Sequence, residues 1–123
     1  MRWWRALADV GMAAALLPLA EAAGRVWGPR PLVGAARWLG RRATPRAPGE
    51  RAWLQRAIAA IDRRLPGGER CYRRVLVEVA LDPAAAAEPF VLGLDRSGQP
   101  RSGHAWLGGR RGRAEPYEVE ISL

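Results

Sequence analysis

The hydrophobic pattern of this chain changes from helical spacing to strand alternation, and this change constrains the fold more than any other feature. Between Glu50 and Leu65 apolar residues recur at helical spacing, with arginines mostly on the other face. Residues 117–123 alternate apolar with polar side chains, as half-buried strands do. Shorter strands are predicted at 90–94 and 103–107, separated by a turn. Helices followed by a small antiparallel sheet predict an α+β fold.

The first half of the chain is predicted to be helical. Trp3 to Gly24 is rich in Ala and Leu, which favours a helix, and Leu32 to Leu39 favours a short second helix that ends at Gly40. Pro29 and Pro31 are expected to break the chain between the two helices.

Gly40 to Gly49 contains prolines and arginines and is the best candidate for a linker. The sequence therefore predicts two regions. Residues 1–49 form a helical N-terminal region with a basic linker, and residues 50–123 form the core that carries the chemistry.

The charge is strongly asymmetric. All 20 basic residues are arginines, and the formal net charge is +8. Residues 1–74 hold fifteen arginines and five acids, a net charge of +10, whereas residues 75–123 hold five arginines and seven acids, a net charge of −2. A basic first half attracts an anionic partner, such as an acidic peptide, a nucleic acid or a membrane surface. A solvated arginine-rich helical face explains the same pattern without any partner.

The N-terminal segment allows three interpretations. Its composition fits a packed helix, while Arg2 and Arg5, an apolar stretch and the sequence Ala20-Glu21-Ala22 resemble a secretory signal. Trp3 and Trp4 between those arginines are also typical of a helix anchored at a membrane surface. Because no run of about 18 uncharged apolar residues occurs, no membrane-spanning helix is expected.

The chain has one cysteine and one histidine, which excludes an internal disulfide and argues against a structural zinc site. Cys71 stands among Arg70, Arg73 and Arg74, and guanidinium groups near a helix start favour a thiolate. His104 is the only imidazole that could hold the proton of a nucleophilic thiol. By pattern alone, residues 71–81 fit either a helix or a strand. A buried thiol and an ordinary core or surface histidine are the alternatives to catalysis.

Three sequence elements, in this order, carry a family resemblance. They are Arg70-Cys71, then Phe90-Val91-Leu92-Gly93-Leu94, and finally Gly103-His104-Ala105-Trp106-Leu107. Together they resemble the transglutaminase-like cysteine peptidases of lasso-peptide maturation, the microcin-processing leader peptidases. The resemblance covers residues 70–107 well and residues 1–69 only in general character. It implies a papain- or transglutaminase-like core in which Cys71 opens a helix, extending to about Leu81, packed on an antiparallel sheet.

The resemblance also implies the roles of the site residues. Cys71 is the nucleophile, and His104 is the general base and later the general acid. The family's third member is an acid, usually Asp, soon after the histidine strand. This chain has no Asp after Asp95, so Glu115 is the closest candidate and Glu118 the next.

The implied function is removal of the leader from a ribosomally made, lasso-type precursor peptide through a thioester intermediate. No metal or organic cofactor is required. The expected partners are the precursor peptide, a separate leader-binding protein and a cyclase, and the basic half of this chain is a candidate docking surface. The expected location is the cytoplasm, with possible membrane association through the N-terminal helix.

Two other functions fit the sequence. A catalytically degenerate relative would keep the fold and bind a peptide or partner protein without cleaving it, which the missing Asp favours. A basic membrane-surface or nucleic-acid-binding module would use the arginines and tryptophans directly. Nucleic acid is the weaker of these partners, since no known nucleic-acid-binding motif is present.

Overall fold

Helices precede a small sheet in the part of the chain that the structure, a computed structural model, describes: residues 3–67, 70–95, 102–108 and 119–123. This order confirms the α+β class. The elements are α1 (Trp3–Gly24), α2 (Pro29–Arg42), α3 (Pro48–Arg64), α4 (Cys71–Leu81), α5 (Pro83–Ala86), β1 (Phe90–Asp95), β2 (Ser102–Leu107) and β3 (Val119–Ser122).

The second helix is longer than predicted. Pro29 and Pro31 lie in the first turn of α2 rather than outside it, because a proline there removes no intrahelical hydrogen bond. The helix also continues past Gly40 to Arg42, so the predicted stop was wrong. Gly40 is instead a contact point with α4. A Cβ atom at this position would lie 2.0 Å from the carbonyl oxygen of Val79.

The predicted linker is correspondingly shorter. Only residues 43–47 connect α2 to α3, because Pro48 and Gly49 already belong to α3. The Arg5 guanidinium donates to the carbonyl oxygens of Thr44 and Pro45, at 3.0 and 3.2 Å. Arg46 forms two hydrogen bonds with the Asp9 carboxylate, at 2.6 and 2.7 Å, and one with the carbonyl oxygen of Leu81. The connection is therefore held against α1 and α4.

The hydrophobic core is built around α4, which contacts α1, α2, α3, α5 and β2. It takes Leu17 from α1, Val33 from α2, Leu54 and Ile58 from α3, and Phe90 from β1, all of them buried. Asp82 ends α4 and begins α5. Its carboxylate accepts a hydrogen bond from the N–H of Ala84 at 3.0 Å and one from Arg51 at 2.6 Å.

The three described strands form an antiparallel sheet in the order β2-β1-β3. In β1, Leu92 pairs with Ala105 of β2 on one side and with Ile121 of β3 on the other. The guanidinium of Arg37 in α2 donates to the carbonyl oxygens of Glu88 and Leu123, which attaches the helical half to the sheet.

Helix α1 corrects the expectation that no segment has membrane-spanning character. It is 22 residues long with a mean hydropathy of 1.5 over its most apolar window, which is long and apolar enough to cross a membrane. The count of uninterrupted apolar residues missed it because Asp9 and Glu21 interrupt the run. Core helices and signal sequences share this property. Here α1 packs on α3 and α4 and buries Ala13 and Leu17, as a packed helix does.

Candidate active site

Cys71 is the first residue of α4, which covers Cys71–Leu81. The helical alternative for this segment, which the resemblance implied, is therefore the one that the structure has. The thiol is half-buried, and its Sγ accepts a hydrogen bond from the backbone N–H of Ala105 in β2, with N and Sγ 3.3 Å apart. This hydrogen bond joins the start of α4 to the strand that contains His104.

His104 precedes Ala105 in β2 and pairs with Gly93 of β1. The fold thus brings the backbone of the only histidine next to the start of the helix that carries the only cysteine, 33 residues earlier in the chain. Ala105 and Leu107 are the residues of β2 that are buried, among those whose side chains the structure describes.

The start of α4 is held by a buried carboxylate. Asp62, in the last turn of α3, is 0% exposed and accepts a hydrogen bond from the backbone N–H of Arg70 at 2.9 Å. It also accepts one from the guanidinium of Arg73, which is only 2% exposed and donates to the Asp62 carbonyl oxygen as well. The pair fixes the first turn of α4, and therefore Cys71, against α3.

The arginines around Cys71 are less available to the thiol than their sequence positions predicted. Arg70 and Arg73 form ion pairs with Glu21 of α1, at 3.5 and 3.6 Å. Arg73 and Arg74 also pair with Asp62. Two carboxylates thus offset most of the positive charge of three guanidiniums, because buried or half-buried charges require partners. Among the described groups, the Ala105 N–H donates directly to the sulfur.

The candidate third residues, Glu115 and Glu118, lie outside the described residues, so the proposed triad stays a prediction. Over the described ranges, no group of three or more His, Cys, Asp or Glu side chains is arranged to hold a metal ion.

A cleft of about 1000 Å³ lies elsewhere, between the start of α1 and the connection 43–47. It is lined by Trp4, Arg5, Asp9, Arg46 and Glu50, among others, and Cys71 is not part of its wall. Its charged groups pair with one another: Arg5 with Glu50 at 3.2 Å, and Arg46 with Asp9. Despite its size, this cleft is held together by structural ion pairs, and neither Cys71 nor His104 is among its lining residues.

Sequence reasoning missed Asp62, Glu21 and the Ala105 N–H. Asp62 had a signal, because it stands four residues after Ile58 and eight after Leu54, on the buried stripe of α3. An acid on such a stripe requires a buried partner. The other two had no signal, since a backbone N–H in a strand and a carboxylate on a distant helix become neighbours of Cys71 only through the fold.

Comparison with known proteins assigns no role to these residues. No family model, no curated protein and no solved structure matches this chain.

Proposed function

We propose that this chain is a transglutaminase-like cysteine peptidase that removes the leader from a ribosomally synthesised, lasso-type precursor peptide. Cys71 is the nucleophile and His104 its base, with Glu115 as the acid that orients the imidazole. The observation that carries the proposal is the contact between the Cys71 sulfur and the Ala105 N–H. This contact supports the pairing of the helix start with the strand that contains His104.

In the proposed reaction, His104 accepts the proton of the Cys71 thiol, and the thiolate attacks the carbonyl carbon of the scissile peptide bond. The carbon–sulfur bond forms and the carbonyl oxygen gains negative charge. The first backbone N–H groups of α4, that of Cys71 included, are the natural donors to this oxyanion. The carbon–nitrogen bond then breaks as the imidazolium protonates the leaving amine, which leaves a thioester.

Water completes the cycle. His104 takes a proton from water, the hydroxide attacks the thioester carbon, the carbon–sulfur bond breaks, and the imidazolium returns the proton to the Cys71 sulfur. The products are a carboxylate on the leader and the regenerated thiol. Asp62 and Arg73 are positioning residues in this scheme, because they fix the helix start without contacting the substrate.

The proposal includes partners and a location. The substrate is the precursor peptide, with a leader-binding protein that presents it and a cyclase that acts on the released core. We place the enzyme in the cytoplasm, associated with a membrane through α1. Exposed arginines such as Arg41 and Arg42 are candidates for contact with an acidic leader or partner. Arg46 is excluded from this role because it is engaged with Asp9.

The test is the rate of Cys71 alkylation by iodoacetamide as a function of pH in the wild type, His104→Ala and Ser102→Ala. An activated thiolate reacts rapidly well below the pH of about 8.5 at which an ordinary thiol titrates. We expect this behaviour in the wild type and in Ser102→Ala, the control in the same strand. His104→Ala should require a higher pH for the same rate.

A thiol that reacts like a free cysteine, unchanged in His104→Ala, would contradict the proposal. The chain would then fit the catalytically degenerate alternative, which is tested by binding of a precursor peptide without cleavage. If the thiol is activated, Glu115→Gln and Glu118→Gln decide the third residue. The variant with the larger loss of peptidase activity identifies the acid. Wild-type activity in both variants would remove the third residue from the proposal.

A further inference from the structure

The outward face of α1 is apolar and uncovered. Among the described residues, the ten large hydrophobic side chains that are exposed all lie between Trp3 and Leu39, six of them in α1. Leu7 and Leu19 are 62% and 61% exposed. Within α1, which is described throughout, Arg5, Asp9 and Glu21 are the charged residues, and all three form ion pairs with other parts of the chain. Soluble monomers seldom leave so continuous an apolar surface uncovered.

This surface extends from α1 to α2. A shallow apolar groove of about 140 Å³ lies between the two helices, with α4 as its floor. Leu16 and Leu19 line one side, and Leu32 and Leu39 line the other. Outside the groove, Trp38 of α2 is 55% exposed and stacks under the Arg42 guanidinium, 4.1 Å from the ring centroid.

The same region is strongly basic. Residues 25–42 contain five arginines and no acid. Arg25, Arg30, Arg41 and Arg42 are exposed. Tryptophans stand at both ends of α1, with Trp3 and Trp4 at its start and Trp27 just after its end, all more than half exposed. Aromatic side chains next to an apolar face and arginines are typical of contact with the boundary between lipid headgroups and acyl chains.

The packing of α1 decides between crossing a membrane and lying on it. Asp9 and Arg46 form a bidentate ion pair, with N–O distances of 2.6 and 2.7 Å, whose hydrogen bond raises the pKa of the Arg46 guanidinium. Leu17 and Ala13 are fully buried against the rest of the protein. A spanning α1 would leave this core and place Asp9 in hydrocarbon without its partner, which is strongly unfavourable. A helix lying in the interface keeps both.

We propose that the outward face of α1, the adjoining groove and the arginines of residues 25–42 form a docking surface for an anionic lipid bilayer, on which α1 lies parallel to the membrane plane. The inference rests on the membrane association proposed above and specifies its surface and lipid charge, and it does not require peptidase activity. It has a consequence for the candidate active site, because Glu21 in the last turns of α1 pairs with Arg70 and Arg73 beside Cys71. Docking would hold the start of α4 close to the membrane.

The experiment is flotation of the full-length protein with vesicles of phosphatidylcholine alone or of phosphatidylcholine mixed with phosphatidylglycerol. We expect binding to the anionic vesicles that weakens as salt is raised and that alkaline carbonate reverses. Arg25→Gln/Arg42→Gln should weaken binding about 30-fold, from the attraction of two arginines to an anionic surface. Arg56→Gln/Arg63→Gln removes the same charge from exposed positions of α3 and is the matched control, with little change expected. Leu7→Gln/Leu19→Gln should abolish binding while the circular dichroism spectrum stays native.

Each other outcome overturns the proposal. Equal loss in both arginine pairs would show attraction by net charge alone, without this surface. Binding that resists carbonate and salt would show a spanning helix. No binding to either vesicle, with a dimer in solution that Leu7→Gln/Leu19→Gln converts to a monomer, would assign the face to a second copy of the chain. If the protein is a monomer and binds neither kind of vesicle, the outward face of α1 would be assigned to contact with a partner protein.

Discussion

Helices α1 and α4 both place apolar side chains in the core, yet their surroundings are opposite. Helix α4 has 11 residues, of which seven are buried, including every position from Leu76 to Leu81. Helix α1 has 22 residues, all of them described, and buries four. Burial on all sides is typical of a central core helix, whereas burial along a single stripe leaves a second face for solvent or a partner.

The two helices also differ in what fixes them. Helix α4 starts at Cys71, where the buried Asp62–Arg73 pair holds its first turn. Helix α1 is held along one face by Leu17 in the core and by ion pairs to the connection 43–47 and to α3. The difference fits the proposed roles, in which α4 positions Cys71 and α1 supplies the docking surface.

The strongest test of this contrast is Asp62→Ala. It leaves Arg73 buried without its main partner and removes the acceptor of the Arg70 N–H, so we expect a loss of about 3–5 kcal/mol in the free energy of unfolding. The measurement is urea denaturation. Adding Arg73→Met should recover part of the loss, because the buried charge that has lost its main partner is then gone. A loss below about 1 kcal/mol would show that the pair does not hold α4.

The two faces of α1 can be compared by truncating one leucine on each. Leu17→Ala creates a cavity in the core and should cost about 2–5 kcal/mol. Leu7→Ala removes an exposed side chain and should change stability by less than about 0.5 kcal/mol in the absence of lipid. Thermal unfolding measures both. Similar losses in the two variants would contradict the one-sided packing of α1.

The close approach of α2 to α4 is tested at Gly40. A Cβ atom there would clash with the carbonyl oxygen of Val79, so Gly40→Ala should destabilise by about 1–3 kcal/mol as the helices separate. Gly34→Ala is the control in the same helix. A Cβ at Gly34 has no neighbour within 4 Å, and the better helix propensity of alanine should leave stability unchanged or raise it by up to about 1 kcal/mol. Equal stability of the two variants would show that α2 is free to shift.

The smallest expected effect concerns Tyr72, which packs edge-on against Phe90 with ring centroids 5.8 Å apart. Burial raises the pKa of its hydroxyl above the ordinary value of 10.0. The unfolded chain therefore loses this proton first, so the associated stability is present below about pH 10 and is lost as pH rises through the folded-state pKa. Tyr72→Phe should show a smaller loss of stability between about pH 9 and pH 11 in denaturant titrations. An identical loss in both proteins would exclude this contribution.

Much of the local structure could be predicted from the sequence because its causes are local. The stripe of Leu54 and Ile58 predicts α3, and the alternation around Ala105 and Leu107 predicts β2. The start of α2 was not predicted correctly. Prolines such as Pro29 and Pro31 break a helix in its interior but are tolerated in its first turn. Propensity alone does not tell which of these positions a proline takes.

The candidate site was only partly predictable. Cys71 and His104 are single residues of their kinds and therefore stand out in the sequence. The hydrophobic pattern could not show that residues 71–81 form a helix, because valines at 75, 77 and 79 fit a strand as well. The ambiguity arises because the second half of α4 is buried on all sides. A helix without an exposed polar face shows no helical period in its sequence.

The sequence by itself determined the α+β class, most of the helix and strand positions, the basic first half and the candidate nucleophile and base, since composition and periodicity act within a few residues. The tertiary structure decided that Asp62 and Glu21 offset the arginines beside Cys71, that the Ala105 N–H reaches the sulfur, and that α1 leaves one face uncovered. These contacts join residues far apart in the chain. Their energies depend on which groups are buried together, and only the packed fold specifies that.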